Sequence, residues 1–145
     1  MKRCIYFLGV IVFLMSCNKD NTDYYDLLTS KMWLTRSITI NPEYHGTTDG
    51  FRSVRDYEKD NLYRYKTNGE LWLDEGELKR EESDPQQKKI GVWRLDGSTL
   101  YIKYNDRTTE NELSIEDIDG NKAIMVVSAG GYTSTYVYQA KDIIN

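Results

Sequence analysis

Along most of the chain, apolar and polar positions alternate with a period of two. Leu100, Ile102 and Tyr104 alternate with Tyr101 and Lys103, and Tyr132, Ser134, Tyr136 and Tyr138 alternate with Thr133, Thr135 and Val137. Successive side chains of a strand point to opposite faces, so each run predicts a strand with one face turned inward. After residue 60 no long stretch carries the 3.6-residue apolar period of an amphipathic helix. Runs rich in β-branched and aromatic residues are instead separated by Asn68-Gly69, Asp96-Gly97, Asp119-Gly120 and Gly130-Gly131, pairs that tolerate the positive φ of tight hairpin turns. Asn105-Asp106 makes a weaker fifth.

Strands are expected over 32–40, 61–67, 70–76, 88–95, 99–104, 109–118, 122–129 and 132–140. Ahead of the first, Tyr24, Tyr25, Leu27 and Leu28 predict a short helix that plugs or flanks one end of the sheet. Two segments, 41–60 and 77–87, carry no periodic pattern, and the highly charged second one reads as a solvated hairpin arm. An open meander would expose two strand edges, and closure removes them. The expected fold is therefore all-β: an up-and-down antiparallel β-barrel of about eight strands with a short N-terminal helix, over residues 24–145. A barrel of that size is just wide enough to fill with its own side chains or to hold one small ligand.

A different pattern occupies the N-terminus. Lys2 and Arg3 precede a nearly unbroken apolar run from Ile5 to Met15, the layout of a secretory signal. As a helix this run covers only ~17 Å, short of the ~30 Å hydrocarbon core of a bilayer, so residues 1–16 are expected to be removed. Leu14-Met15-Ser16-Cys17 resembles the lipobox of bacterial lipoproteins. That resemblance implies cleavage before Cys17 and acylation of its thiol and new amino group with palmitate-type chains, a membrane anchor that requires no transmembrane helix. An ordinary secretory signal that happens to precede a cysteine is the plainer alternative. Residues 17–23 then form a polar tether, in which Lys19-Asp20 resembles the export signal of surface-exposed outer-membrane lipoproteins of the Bacteroidetes.

Composition narrows the chemistry. Only Cys4 and Cys17 are present, one in the signal and one under the lipid, so the mature domain has no thiol for disulfides, zinc or nucleophilic catalysis. The single histidine, His45, rules out a multi-histidine metal site within one chain. The chain has 19 Lys+Arg and 23 Asp+Glu; without Lys2 and Arg3, 17 against 23 gives −6. So acidic a domain lacks the basic footprint that nucleic acid requires.

Motifs for catalysis are absent. His45 sits in the loop-like Pro42-Glu43-Tyr44-His45-Gly46, and no nucleophile motif accompanies nearby Ser37, Ser53 and Asp49. Carboxylates cluster at Asp74, Glu75 and Glu77, at Glu81, Glu82 and Asp84, and at Asp117 and Asp119, without spacing that establishes a glycosidase pair. Asp117-x-Asp119-x-Asn121 resembles the opening of a calcium loop, but Lys122 replaces the glycine and no glutamate follows at the twelfth position, so a hairpin turn is expected. No metal, no cofactor and no enzymatic activity are expected.

Trp33, the Tyr65-Lys66-Thr67-Asn68-Gly69 turn, Gly91 to Leu100 and the Leu113 to Val127 hairpin together resemble the lipocalin-like domains of small Bacteroidetes lipoproteins, over roughly residues 27 to 140. True lipocalins have Gly-x-Trp on the first strand and a late arginine beneath that tryptophan; here Lys31-Met32-Trp33 and Lys141 stand in those places. The resemblance thus implies the barrel more strongly than an apolar-ligand cavity.

Eleven tyrosines and three tryptophans remain after cleavage. Trp33, Tyr63, Tyr65, Trp72, Trp93, Tyr136 and Tyr138 are the candidates for lining a cavity, and filling a small barrel is the plainer use of the same residues. Two expectations follow: a lipid-anchored outer-membrane barrel binding a small apolar or amphipathic ligand, or a packed module recognising a protein or glycan through loops 41–60 and 77–87 or a strand edge.

Overall fold

The computed structural model describes the backbone of residues 21–143 and the side chains of residues 24–143; the expected signal, residues 1–16, and Cys17 lie outside them. Helix α1 (Asn21–Ser30) is followed by β1 (Met32–Tyr44), β2 (Thr47–Asp49), β3 (Leu62–Tyr65), β4 (Glu70–Asp74), β5 (Gln87–Asp96), β6 (Thr99–Tyr104), β7 (Asn111–Ile118), β8 (Lys122–Ala129) and β9 (Tyr132–Lys141). Sequential antiparallel pairing joins β3 through β9, β1 pairs with β3, and β9 returns to β1. Eight strands thus close an antiparallel barrel, and β2 is an additional strand on the far half of β1. Closure is made by a long ladder from Met32↔Lys141 to Asn41↔Thr133. No described helix is long and apolar enough to cross a membrane.

The expected strands are present, with two differences at the N-terminal side. Helix α1 begins at Asn21 and so takes in residues 21–23, read above as tether; Asn and Asp are residue types that favour a helical first turn. Segment 41–60 is also less irregular than its sequence suggests. It contains the end of β1, all of β2 and two short 3-10 turns, Phe51–Ser53 and Asp56–Glu58. Pro42 hides the extension of β1, because proline cannot donate to a ladder; it is tolerated one residue past the last β1–β9 pair.

Three bulges decide which residues face inward. On β1 the register shifts between Thr35 and Ser37, so Trp33 and Thr35 are followed on the inner face by Ile38 rather than Ser37. On β7 a shift between Ile115 and Asp117 lets Leu113, Ile115 and Ile118 all be buried. On β5 a shift opposite Leu71/Trp72 brings both Gly91 and Ile90 to the interior side. Each extra residue reverses the parity of the strand beyond it, which would otherwise turn these aliphatic side chains to water. Gly91 is required by closeness rather than by φ: a Cβ there would lie 2.4 Å from the Lys103 carbonyl oxygen across the β5–β6 pair.

The two ends of the barrel differ. At one end the connections are tight turns: Lys66 to Gly69, Asp96 to Thr99 and Asp119 to Lys122. Gly69 and Gly97 take the expected positive φ. Gly120 does not; that turn is held instead by the Asp119 carboxylate, which accepts the backbone N–H of Asn121 at 2.7 Å and of Lys122 at 2.8 Å. Helix α1 covers this end, burying Leu28 completely and packing Tyr24, Tyr25 and Leu27 on the core. The opposite end carries residues 45–61, 75–86 and 105–110, together with the Gly130-Gly131 turn.

Candidate functional site

The closed end is filled and its polar groups are matched. Trp33 is wholly buried, and its indole N–H donates to the Leu28 carbonyl at 3.0 Å. Trp93 donates to the Lys66 carbonyl at 3.0 Å, and the Tyr25 hydroxyl donates to the Thr67 carbonyl at 2.8 Å. The Trp93 ring lies between Tyr25 and Tyr65, with centroids 5.4 and 5.5 Å away. Leu71, Leu100 and Met125 are also fully buried. These residues form a dry floor.

Above that floor a cavity of about 950 Å³ opens toward the loops, at the upper end of the size range of small-molecule sites. Five tyrosines line it: Tyr63 and Tyr65 from β3, Tyr104 from β6, and Tyr136 and Tyr138 from β9. Ile38, Leu73, Ile90, Ile102, Leu113 and Val127 supply aliphatic wall. Tyr63 meets Tyr138 edge-on at 6.5 Å, and Tyr136 stacks nearly parallel to Tyr138 at 6.2 Å. β3 and β9 both flank β1, so Tyr63, Tyr65, Tyr136 and Tyr138 gather on one side, facing the aliphatic residues of β5, β7 and β8, and Tyr104 of β6 stands across from them.

None of the five phenol hydroxyls hydrogen-bonds a described residue, in contrast with Tyr25 at the other end. Burial raises the pKa of Tyr63, Tyr65, Tyr104, Tyr136 and Tyr138 above the ordinary 10.0; neighbouring tyrosines add to the rise for Tyr63, Tyr65 and Tyr138, and at Tyr104 the nearby Arg107 guanidinium opposes it. All five are therefore neutral at physiological pH and present both a donor and an acceptor. Facing the open cavity, these hydroxyls are available to an occupant, which must bring hydrogen bonds of its own to replace water there.

The rim comes from the loops. Val54 and Glu58 of the 3-10 region, Asn61, and Asn105, Asp106, Arg107 and Asn111 complete the lining. The 3-10 region folds back over β1: the Gly50 N–H donates to the Ile38 carbonyl at 2.9 Å, and a Cβ on Gly50 would come within 2.9 Å of Ile40. It is also tied to the charged arm, because Asp60 Oδ2 accepts the backbone N–H of Glu77 at 2.7 Å and of Leu78 at 2.9 Å. Beside them Glu75, 5% exposed, forms an ion pair with Lys88. Glu75 Oε2, Asn61 Oδ1 and Asp60 Oδ1 are buried without a hydrogen-bond partner.

The structure therefore divides the sequence-derived candidates. Tyr63, Tyr65, Tyr136 and Tyr138 converge on the cavity. Trp33 and Trp93 lie in the floor, and Trp72 is on the outer surface between inward Leu71 and Leu73, its ring 3.6 Å from the Lys66 ammonium. There it donates to Glu70, whose carboxyl is held down at about 2 by Lys89 and by this indole N–H. Tyr104 and Asn61 are lining residues that the sequence reading did not select. Alternation placed Tyr104 on one face with Leu100 and Ile102, a sufficient signal; Asn61, just outside β3, gave none. His45 is exposed, with φ +50°, and packs on Tyr44 with ring centroids 4.1 Å apart. It makes no hydrogen bond to Ser37, Ser53 or Asp49. Among the described residues no group of three His, Cys, Asp or Glu side chains could hold a metal ion.

No family model matches this chain, and no curated protein matches it.

Proposed function

We propose that this chain is a cell-envelope lipoprotein whose barrel binds a small amphipathic ligand without catalysis. The observation that carries the reading is the one-ended interior: a cavity of about 950 Å³ open to the loops and closed beneath by α1 and the Trp33–Trp93 floor. Its lining is aromatic and aliphatic with a polar rim, the composition of a binding pocket. The lipobox at Leu14 to Cys17 supports lipidation on Cys17 and residence in the outer membrane. The resemblance to lipocalin-like lipoproteins agrees with both halves of the reading.

These two halves fit together geometrically. Helix α1 starts four residues after Cys17, a span of at most about 14 Å when extended. An anchor there holds the closed end toward the bilayer and leaves the mouth directed away from it. Native mass spectrometry of the protein from its own host tests the binding half: a retained small molecule is expected, and its loss in Val127→Trp, which fills the cavity. Incorporation of labelled palmitate, abolished by Cys17→Ala, tests the anchor. A lipid-free chain, or incorporation that persists in Cys17→Ala, removes it.

One feature favours the second reading, recognition through the loops. Asp56 and Tyr57 meet Glu77, Leu78, Lys79 and Glu82 around a surface depression of about 500 Å³, and Leu78 is 54% exposed there. Replacing residues 77–86 by a short turn would abolish partner capture on that reading and leave cavity binding intact on the first.

A further inference from the structure

We infer that the ligand of the barrel is a neutral, hydroxyl-rich molecule with a flat apolar face, the chemistry of a short uncharged glycan, seated with its hydroxyl edge against the tyrosines of β3 and β9. The inference rests on the cavity reading above and narrows it. Two arrangements of a fatty-acyl ligand are disfavoured by the same wall. With the chain end inward, an alkyl group would lie against the hydroxyls of Tyr63, Tyr65, Tyr136 and Tyr138 and give them nothing to bond. With the head inward, a carboxylate or phosphate would find no cation at depth. Lys89 is engaged by Glu70 at 2.9 Å, Lys88 is engaged by Glu75, and Arg107 is on the exposed 105–110 loop.

A pyranose ring meets both walls. Its axial C–H face is apolar and suits the aliphatic side chains of β5, β7 and β8, and the broad faces of aromatic rings. Its hydroxyls donate and accept, as do phenols. Asn61 also lines the cavity, at its rim, and its side-chain amide offers a donor as well as an acceptor.

Titration calorimetry of the purified full chain with maltotriose, xylotriose, mannotriose and chitotriose, alongside palmitate, tests the assignment. At least one trisaccharide is expected to bind. Tyr138→Phe and Tyr65→Phe, which delete only a hydroxyl, are each expected to weaken that binding about tenfold without lowering the thermal midpoint. Tyr136→Phe, on a less buried part of the wall, serves if either of these fails to fold. Palmitate binding with no response to any saccharide, and with Phe variants binding palmitate as well or better, overturns the glycan assignment and leaves the cavity reading standing. No heat from any probe, together with no molecule retained in native mass spectrometry, overturns both.

Discussion

The two ends of this barrel are built from the same strands and treat polar groups in opposite ways. At the α1 end Trp33, Trp93 and Tyr25 each place their polar atom on a backbone carbonyl, and Leu28, Leu71, Leu100 and Met125 fill the space between. At the loop end five phenols share a cavity without a protein partner among the described residues. The difference teaches that aromatic content does not distinguish a core from a site. What distinguishes them is whether the polar edge of the ring is satisfied internally, since a hydroxyl that faces an open cavity is the one that a ligand can engage in place of water.

If this contrast is sound, damage at the closed end should cost stability and damage at the open end should cost binding. The largest effect is expected from Trp33→Ala, about 3–5 kcal/mol in chemical denaturation, because it opens a void beneath α1 and removes the donor to Leu28. A loss below 1 kcal/mol would mean that the floor is not the structural core. Next is Gly91→Ala, expected to cost about 1–3 kcal/mol in the same measurement, because the added methyl meets the Lys103 carbonyl.

Alkaline titration separates the ends further. The phenols of Tyr65 and Tyr138 have folded pKa values raised above 10.0, chiefly by burial. A raised folded value gives stability that is complete below the unfolded pKa and is lost as pH rises through the folded one. Stability should therefore be flat to about pH 10 and fall above it, with phenolate absorbance lagging behind that of free tyrosine. In Tyr65→Phe/Tyr138→Phe the fall should become smaller. The smallest stability effect is expected from Gly131→Ala at the open end. Its φ of +83° makes the substitution unfavourable by about 1 kcal/mol, with no neighbouring atom within 4 Å to clash.

Within the fold, what was legible follows the range of the interactions involved. Alternation in Thr99–Tyr104 and Tyr132–Lys141 and the turns at Asn68-Gly69 and Asp96-Gly97 are set by residues close in sequence, so strands and hairpins could be read directly. The helix over Tyr24 to Leu28 was legible for the same reason. Strand β2 and the last four residues of β1, 41–44, were not, because Pro42 and the polar Thr47-Thr48-Asp49 carry no strand pattern of their own and pair only in the presence of β1 and β9. Gly120 was misleading: a carboxylate at Asp119 organises that turn where positive φ was expected.

For the site, the sequence by itself determined the residue types, a tyrosine-rich and thiol-free set of alternating strands, because composition and period are local properties. Tertiary structure alone decided which aromatics became floor, wall or outer surface. Three bulges reverse strand parity, and a closing ladder joins Met32 to Lys141, residues far apart in the chain. A one-residue change in register moves a side chain from the interior to solvent, and that register is fixed by pairing with distant strands, so no window of sequence contains it.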